Sequence, residues 1–350
     1  MRVLGIDVGG TTVKWVVLDV PAGRDVPAGR VLARGALPTA GSPVAVAADL
    51  AALVDAADAA ADRASVSRSS SGRPVAVGTV AARTIVADRT AAGAGRHPES
   101  GGGRIAAIGV GVPGHVDRRS GVVLFVPNLA GAWPGYPLAG TLRAATGRPV
   151  TVLNDARAFC LAEWRLGAAR GHDDVLFLTL GTGVGGGVVS GGRLLTGPDD
   201  RLGEIGHLTY DREGPRCGCG HRGCLETYAS ATAIARAAGR ATAAAVFLAP
   251  ADPRADAAVV RAGRAIGETI ASLCAVLPAD LLVIGGGVAA GLPRLRPPIE
   301  AALAGRREFI GMVDVVAAGL GPDAGAVGAA LAAALTTTDG GGRELDQASA

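Results

Sequence analysis

Apolar residues run along this chain in short continuous blocks that alternate with longer alanine-rich or amphipathic stretches. Short apolar blocks bounded by glycine, proline or polar residues are typical of buried strands. They predict strands at residues 3–8, 15–20, 31–36, 105–110, 150–153, 175–180, 187–190 and 281–284. The longer stretches predict helices at residues 44–63, 155–166, 229–239, 256–277 and 324–335. Strands that alternate with helices indicate an α/β fold.

Two segments fall outside this alternation. Residues 64–104 are rich in serine, glycine and arginine, which predicts a flexible insertion with at most a short ordered piece near residues 75–80. Residues 337–350 are mostly polar and predict a disordered tail. The length of 350 residues suggests about two domains, and an apolar content of 49% supports large cores.

Charge and hydropathy argue against two classes of partner. The formal net charge of +3 is small and scattered, so nothing indicates nucleic-acid binding. The longest apolar stretch, residues 271–292, is interrupted by Pro278, Asp280 and three glycines, whereas a membrane-spanning helix needs about 20 apolar residues. The first residues carry charges at Arg2 and Asp7 and form no apolar secretory segment. We therefore expect a cytoplasmic protein with no membrane partner.

Three glycine-rich turns follow apolar strands, and each could bind a phosphate. The turns span residues 7–14, 181–187 and 285–287, with the candidate positions Gly9, Gly10, Gly181, Thr182, Gly183, Gly285, Gly286 and Gly287. Glycine lets backbone N–H groups converge on a phosphate because no Cβ stands in the way. The first turn adds Asp7, Thr11, Thr12 and Lys14, which suit a Mg²⁺-bound nucleotide. Each turn alone is more often a plain turn, but three together favour a nucleotide site.

The two commonest glycine-rich nucleotide motifs do not fit the chain. Lys14 is the only lysine and it follows Val13, so no G-K-[ST] P-loop exists. Gly181, Gly183 and Gly186 do match G-x-G-x-x-G, but a dinucleotide-binding fingerprint requires a helix next. An apolar strand and a Gly-Gly pair at residues 191–192 follow instead, which predicts a hairpin. This order argues against an NAD-dependent oxidoreductase.

One histidine and three cysteines follow the spacing H-x9-C-x-C-x4-C. These residues, His207, Cys217, Cys219 and Cys224, are the ligands that a closed tetrahedral Zn²⁺ site prefers. The competing interpretation is a disulfide with a spare thiol, but clustered cysteines without a secretory signal more often bind metal. His221 lies inside the cluster, yet a ligand within the tight turn before Cys224 is geometrically awkward. His207 is therefore the preferred fourth ligand.

A set of amide, carboxylate and imidazole side chains accompanies these motifs. The set consists of Asn128, Asn154, Asp155, Glu204, His207 and Glu226. Asn154 and Asp155 directly follow a strand and open a helix, a position that faces the ligand crevice of an α/β sheet, although either residue could merely cap the helix. Asn128 could belong to a plain turn, and Glu204 could be a solvated acid. Together the set suits a neutral polyol, because a zinc-bound imidazole keeps a second ring nitrogen for hydrogen bonding.

These residues give the chain a resemblance, over nearly its whole length, to the ROK family of sugar kinases and sugar-responsive repressors within the actin-like ATPase superfamily. Residues 7–14 and 181–187 resemble the family's two phosphate motifs, residues 285–287 resemble its adenosine motif, and residues 217–226 match its C-x-C-G-x-x-G-C-x-E zinc signature. Within the family the chain is most similar to the glucose-phosphorylating kinases of actinobacteria. The resemblance implies a two-lobed actin-like ATPase (ribonuclease H-like) fold with a structural zinc site. It places the lobes at residues 1–153, joined by a final helix at about 323–336, and at residues 154–322.

The resemblance also implies a reaction and residue roles. The expected activity is ATP-dependent phosphorylation of a hexose, glucose to glucose 6-phosphate, with Asp155 as general base. The implied sugar-binding residues are Asn128, Asn154, Asp155, Glu204, His207 and Glu226, and Asp7 is implied to help position Mg²⁺. The implied ligands of a structural Zn²⁺ are His207, Cys217, Cys219 and Cys224. A homodimer or a higher homo-oligomer is the expected state.

Several alternatives stay open at this stage. N-acetylglucosamine, N-acetylmannosamine, mannose or fructose could replace glucose, and polyphosphate could replace ATP. Residues 130–133 look longer than the family's usual link between Asn128 and a tryptophan, which bears on sugar preference, and the insertion at 64–104 is also longer than usual. A sugar-binding transcriptional regulator would need an N-terminal helix-turn-helix, which is not expected in a chain that opens on its first strand.

Overall fold

A computed structural model gives the architecture of the protein and describes residues 1–21, 29–66, 79–80, 104–249 and 251–338. The chain divides into two compact units. The first unit comprises Met1–Leu166, Pro198–Asp200 and Asp323–Ala350, and the second comprises Gly167–Gly197 and Arg201–Pro322. The chain thus passes from one unit to the other four times, after residues 166, 197, 200 and 322.

The helices and strands follow the chain in this order. Those that begin the first unit are β1 (Arg2–Val8), β2 (Thr12–Asp19), β3 (Arg30–Pro38), α1 (Pro43–Val66), β4 (Thr79–Val80), β5 (Ile105–Val112), β6 (His115–Asp117), β7 (Val122–Phe125), α2 (Leu138–Thr146), β8 (Val150–Asn154) and α3 (Asp155–Arg165). Those of the second unit are β9 (Val175–Leu180), β10 (Val184–Ser190), β11 (Arg193–Leu195), α4 (Glu226–Ala229), α5 (Ala231–Ala238), α6 (Ala243–Phe247), α7 (Pro253–Cys274), β12 (Leu281–Gly285), α8 (Leu292–Ala304), α9 (Arg307–Ile310) and β13 (Asp314–Ala317). Helix α10 (Ala324–Thr338) returns to the first unit.

The main sheet of the first unit has the strand order β4-β3-β2-β1-β5-β8, and β6 pairs with β7 in a separate hairpin. Strands β1, β5 and β8 are parallel neighbours. Their register sets Asp7 opposite Gly111 and Gly111 opposite Leu153. Because parallel strands end at the same edge of a sheet, Asp7 and the residues that follow Leu153 lie along one edge.

The two faces of β1 and β5 carry different side chains. Leu4, Ile6, Ile108 and Val110 point into one core together with helix α1 residues such as Leu50. Side chains in a strand point to opposite faces in turn, and the positions that point to the other face include the small residues Gly5, Ala107 and Gly109. That small-residue face is covered by α10.

Helix α10 packs on this sheet backbone against backbone. A Cβ at Gly5 would lie 1.9 Å from the carbonyl oxygen of Ala326, and a Cβ at Gly109 would lie 1.7 Å from that of Ala329. On the helix itself, a Cβ at Gly328 would lie 1.6 Å from the carbonyl oxygen of Ala158 in α3. Glycine is therefore required at these positions by close approach and not by backbone conformation.

The sheet of the second unit has the order β11-β10-β9-β12-β13. Strands β9, β12 and β13 are parallel, and β10 and β11 form an antiparallel extension. Helices α7 and α8 pack closely in the same manner as α10, because a Cβ at Gly263 or Gly267 would lie 2.9 or 2.6 Å from carbonyl oxygens of α8. The core of this unit fills the space between these helices and the sheet.

The alternation of strands and helices predicted from the sequence is confirmed. The predicted helix at 229–239 is divided into α4 and α5 because Ser230 adopts an extended backbone and caps α5, its Oγ accepting from the Ala233 N–H at 3.1 Å. Short elements were not predicted, and α8 was missed because Pro297 and Pro298 lie inside it. Within the described ranges, none of the helices combines the length and apolarity needed to cross a membrane.

The predicted insertion, tail and domain boundary fall partly on described residues. Residues 64–66 end α1, and Thr79–Val80 pair parallel with β3, while residues 67–78, 81–103 and 339–350 lie outside the described residues. Residues 337–338 continue α10, so that helix is longer than predicted. The structure divides the chain after Leu166, later than the predicted boundary at 153, because α3 packs against α10 through Ala158 and Gly328.

We expect Gly109→Ala to destabilise the first unit by about 2–3 kcal/mol or to prevent its folding, because α10 would have to move off the sheet. Gly140→Ala is the matched control. Its Cβ would come no closer than 3.9 Å to another group, and alanine within α2 should stabilise by up to about 1 kcal/mol. Thermal and urea unfolding followed by circular dichroism compare the two. An unchanged midpoint for Gly109→Ala would contradict the close packing.

Candidate active site

The turn between β1 and β2 holds the first predicted phosphate motif. The Gly9 N–H donates to the carbonyl oxygen of Thr12 at 3.0 Å and closes a tight turn. Thr39 anchors it, since its Oγ1 donates to the Gly9 carbonyl at 2.6 Å and its N–H donates to the Thr11 carbonyl at 3.1 Å. Gly10 and Thr11 stay exposed. The turn is thus rigid where it is anchored and open at its tip.

Two acidic residues lie near one another at the edge of this sheet. Asp7 in β1 pairs with Lys14 in β2. Asp155 follows β8, which lies on the opposite side of β1, beyond β5. Burial and the nearby Asp155 carboxylate raise the pKa of Asp7 to about 7, and Lys14 opposes this shift. Asp7 is therefore near the midpoint of its titration at neutral pH, and a cation beside it would favour its ionised form. Such paired carboxylates are typical of functional sites.

Asn154 and Asp155 form the junction between β8 and α3. Asn154 caps the helix, because its Oδ1 accepts from the Arg157 N–H at 3.1 Å, and its Nδ2 donates to the Gly114 carbonyl at 2.8 Å. The capping alternative raised by the sequence is thus confirmed for Asn154. Asp155 is the first residue of α3, and its Oδ1 accepts from the Ala156 N–H at 2.8 Å. The junction places a half-buried carboxylate at the carboxyl edge of the sheet.

Asn128 belongs to the same part of the first unit. It is exposed, and its carbonyl oxygen lies 3.2 Å from the position that a Cβ of Gly10 would take. Residues 130–133 form a compact turn after it. Trp133 anchors that turn, because its ring is buried and its Nε1 donates to the Ala130 carbonyl at 3.0 Å.

The second and third glycine loops lie side by side in the second unit. Strands β9 and β12 are parallel neighbours, so residues 181–183 and 285–287 leave the sheet at the same edge. Gly181 accepts a backbone hydrogen bond from the start of α5 at 2.8 Å. Gly286 has a φ of +80°, and a Cβ there would lie 2.5 Å from the carbonyl oxygen of Leu180. This position requires glycine for both conformation and space.

Strand β10 begins at Val184, inside the G-x-G-x-x-G sequence and three residues before the predicted start, so the element here is a strand and not a helix, as predicted. Residues Gly185 and Gly186 lie within β10, which pairs with β11 across a turn at Gly191 and Gly192. Those two residues have φ values of +56° and +68°, as in a type I′ hairpin turn. The arrangement that a dinucleotide-binding fingerprint needs is therefore absent at this loop.

Glu226 connects the second glycine loop with the cysteine cluster. Its Oε2 accepts from the Val184 N–H at 3.0 Å, and its Oε1 lies 3.5 Å from the Sγ of Cys217. A Cβ at Gly183 would lie 2.5 Å from Oε2. Residue 183 is therefore glycine because the Glu226 carboxylate leaves no room for a Cβ, and not because of the backbone conformation of a turn.

The four predicted metal ligands form one cluster. The donor atoms of His207, Cys217, Cys219 and Cys224 all lie within 4.8 Å of one another. The Nδ1 of His207 is 3.6 Å from the Sγ of Cys217, and the Sγ atoms of Cys219 and Cys224 are 3.6 Å apart. A zinc–sulfur bond of about 2.3 Å gives tetrahedral edges of about 3.7 Å, whereas a disulfide would need about 2.05 Å. The donor set therefore fits a tetrahedral Zn²⁺, and the disulfide alternative is wrong.

Two of the three thiols of this cluster, Cys217 and Cys224, are unfavourable as thiolates without a cation. At Cys219 desolvation is outweighed by hydrogen bonds from the His221 backbone and the neighbouring thiols, which lower the pKa of this residue. Burial and the neighbouring Cys219 raise the pKa of Cys224 to about 12, and burial also raises the pKa of Cys217. Metal binding requires the thiolate, and a bound cation stabilises it. The His221 backbone supports the cluster, because its carbonyl oxygen accepts from the Cys217 N–H at 2.8 Å.

The short 3₁₀ turn Ile205–His207 carries the predicted histidine ligand. A Cβ at Gly206 would lie 2.0 Å from the carbonyl oxygen of Val184, so this turn touches β10 directly. Glu204 precedes it half-buried, and its carbonyl oxygen accepts from the His207 N–H at 3.0 Å. The turn that carries His207 is thus held by β10 on one side, the His207 ring contacts the cysteine cluster on the other, and the Glu204 backbone is bonded to that of His207.

Sequence reasoning missed two charged residues beside Asn154. Asp200 is fully buried in the first unit, and its Oδ2 accepts from the Asn154 N–H at 2.6 Å. Arg157 is equally buried and donates from Nη2 to the Asp200 carbonyl at 3.1 Å. The sequence Gly197-Pro198-Asp199-Asp200 is typical of an exposed turn, so it gives no sign that its last residue is buried.

Known proteins resemble the chain along most of its length. The ROK family model matches residues 94–335. A glucokinase of Thermotoga maritima is 38% identical over 246 residues, which cover 64% of this chain and 77% of that protein. An N-acetylmannosamine kinase of Escherichia fergusonii is 39% identical over 226 residues, 62% of this chain and 76% of that protein.

A solved structure resembles the fold as well. The ROK family glucokinase of Streptomyces griseus, in complex with glucose and AMPPNP, is similar with a TM-score of 0.70 and 28% identity, covering 95% of this chain and 99% of that chain. The predicted fold of ROK kinases, an actin-like ATPase fold, is therefore confirmed. With the family model matching more than half of the residues, this chain belongs to the ROK family.

Proposed function

We propose that this protein transfers the γ-phosphoryl group of ATP to a hydroxyl of a hexose, and that it converts glucose to glucose 6-phosphate. The observation that carries the proposal is the proximity of Asp155 and Asp7 at the sheet edge that also carries the first glycine turn. The relatives support it, because the Thermotoga maritima protein is a glucokinase and the Streptomyces griseus structure holds glucose with AMPPNP.

Asp155 is the proposed general base. It accepts the proton of the sugar hydroxyl as that oxygen bonds to the γ-phosphorus and the bond from phosphorus to the β–γ bridging oxygen breaks, so that ADP leaves. The position of Asp155 at the first turn of α3 supports this role, because the cap by Asn154 fixes the local backbone. Phosphoryl transfer otherwise asks for positioning and charge neutralisation, which rigid loops supply.

The nucleotide is proposed to bind to the three glycine loops. The residues concerned are Asp7, Gly9, Gly10, Thr11, Thr12, Lys14, Gly181, Thr182, Gly183, Gly285, Gly286 and Gly287. The Asp7 carboxylate and the neighbouring threonine hydroxyls are oxygen ligands of the kind Mg²⁺ prefers. When bound, Mg²⁺ neutralises charge on the phosphate oxygens.

The sugar hydroxyls are proposed to be bound by amides, carboxylates and one imidazole. Those in the first unit are Asn128, Asn154 and Asp155, and those in the second are Glu204, His207 and Glu226. His207 suits this role because its Nδ1 faces the Cys217 thiol, which leaves Nε2 as the ring nitrogen for a hydroxyl. The proposed Zn²⁺ is structural, since four protein ligands leave it no open position.

A second candidate substrate is N-acetylmannosamine. The observation that favours it is the Escherichia fergusonii relative, an N-acetylmannosamine kinase whose identity to this chain is as high as that of the glucokinase. The same base and nucleotide loops would serve either sugar. A homo-oligomer and a cytoplasmic location stay predictions.

The direct test is an ADP-release assay with Mg²⁺-ATP, and separately with polyphosphate, against a panel of hexoses and N-acetylhexosamines. We expect turnover to be highest on glucose. Asp155→Ala should lower kcat by about 10²–10⁴-fold, because a positioned base contributes about that much, while calorimetric glucose binding persists. Full activity in Asp155→Ala would exclude it as the base, and preference for N-acetylmannosamine would select the second candidate.

A pH-dependence of nucleotide affinity follows from Asp7. The pKa of Asp7 is raised to about 7 in the ligand-free protein, so protons compete with Mg²⁺ for this carboxylate below pH 7. We expect the KM for Mg²⁺-ATP to rise as the pH falls from 8 to 6, by at most about tenfold per pH unit. Asp7→Asn is the control, because this variant keeps the pH dependence that comes from titration of the nucleotide and lacks the part that comes from Asp7. Parallel profiles in both proteins would show that Asp7 does not titrate there.

Metal binding is tested most cleanly at Cys219, because it is exposed and its loss creates no core cavity. We expect one Zn²⁺ per chain by elemental analysis of the wild type, and loss of that ion in Cys219→Ser. Cys274→Ser, which changes a cysteine outside the cluster, should keep the ion. In Cys219→Ser, hydrogen exchange should increase across residues 203–226. A variant that lost no zinc would contradict the assignment of this ligand.

A further inference from the structure

We propose that Asp200 is a positioning residue for the reaction, holding the backbone from which Asp155 projects. The inference rests on the proposed function, in which Asp155 is the base. The chain takes an unusual course around Asp200. Residues 198–200 form a short turn in the first unit, next to β6, although residues 167–197 and 201–322 belong to the second unit.

The carboxylate of Asp200 is aimed at the junction of β8 and α3. Strand β8 lies at the edge of its sheet, and an N–H on the outer side of an edge strand needs an acceptor from elsewhere. For Asn154 that acceptor is Oδ2 of Asp200, at 2.6 Å, and Asp200 has no solvent exposure. A charged acceptor makes a strong hydrogen bond, more so where water is excluded.

Arg157 connects the same carboxylate to the first turn of α3. Its Nη2 donates to the Asp200 carbonyl at 3.1 Å, and its Nε lies 4.0 Å from Oδ1 of Asp200. Both side chains are buried, and their opposite charges lie close enough to favour one another. Since the Arg157 N–H also donates to the Asn154 side chain, Asp200 contacts both residues that define the helix cap.

Asp155 lies between these two anchor points in the sequence. Asn154 is held by its N–H, its Oδ1 and its Nδ2, the last donating to the Gly114 carbonyl at 2.8 Å. With Asn154 and Arg157 fixed, the backbone of Asp155 has one orientation. A catalytic group displaced by about 1 Å can lose about 10²-fold in rate, so the anchor bears on the chemical step.

The backbone of the turn shows that its conformation is imposed by these contacts. Asp199 and Asp200 have φ values of +53° and +58°, and among the described residues other than glycine only Ala251 shares a positive φ. Left-handed backbone is uncommon outside glycine, although aspartate adopts it more readily than most residues, and it persists where the surroundings fix it. Here two such residues follow one another, and the carboxylate of the second, Asp200, accepts the hydrogen bond from the Asn154 N–H.

The test compares neighbouring aspartates with the same backbone conformation. Asp199 is exposed and Asp200 is buried, so Asp199→Ala is the matched control for Asp200→Ala. At a temperature where circular dichroism shows full folding, we expect Asp200→Ala to lower kcat by about 10- to 100-fold, with the hexose KM within about threefold. Asp199→Ala should leave both within about twofold. Asp200→Asn, which keeps an acceptor oxygen, should recover part of kcat.

A purely structural role would lower the unfolding midpoint without changing kcat of the folded protein, and that result would overturn the proposal. A raised hexose KM at unchanged kcat would also overturn it. If Asp200→Ala does not fold, amide exchange in the wild type decides. Slow exchange of the Asn154 N–H supports the anchor, and fast exchange refutes it. That measurement needs no turnover, so it stays informative even if the wild type phosphorylates no sugar.

Discussion

The parallel register of β1, β5 and β8 is the constraint on which the first unit's site depends. Register sets Asp7 level with Gly111 and Gly111 level with Leu153. Asp7 and Asp155 therefore both lie at the carboxyl ends of their strands, separated by β5, which has Gly111 at that level. At Gly111 the nearest atoms to an added Cβ would be 3.5–3.6 Å away and include the Cα of Asp155. A one-residue slip would send one carboxylate to the opposite face, because side chains alternate along a strand.

Glycine has two separate uses in this chain. At Gly191, Gly192 and Gly286 a positive φ demands it, and those positions make turns. At Gly183 and Gly109 φ is not positive, and glycine is required by what lies beside it, the Glu226 carboxylate at Gly183 and the neighbouring helix at Gly109. The same residue type therefore shapes loops in one place and allows backbones to touch in another, which composition alone cannot separate.

The sequence predicted most of what depends on local pattern. Buried strands, most of the long helices, the glycine loops and the cluster of His207 with three cysteines were found because each is specified by neighbours along the chain, whereas α8 was missed because its prolines interrupt the helical pattern. The short strands β6, β7 and β13 were missed because three or four residues carry too little periodicity. Asp200 was missed for a different reason, since its burial depends on the Asn154 N–H, 46 positions away. A hydrogen bond between a side chain and a backbone group that is distant in sequence leaves no pattern in the residues around either partner.

The return of α10 to the first unit has a consequence for how the protein is made. Translation delivers the chain from its N-terminus, so β1 and β5 emerge long before the helix that covers their glycine face. At about 5–20 residues per second, the wait between residue 112 and residue 338 is about 10–45 seconds. The second unit, ending at Pro322, can complete its core within that time. The part of the protein synthesised first is thus the last to close, and the glycine face of its sheet stays uncovered until α10 emerges.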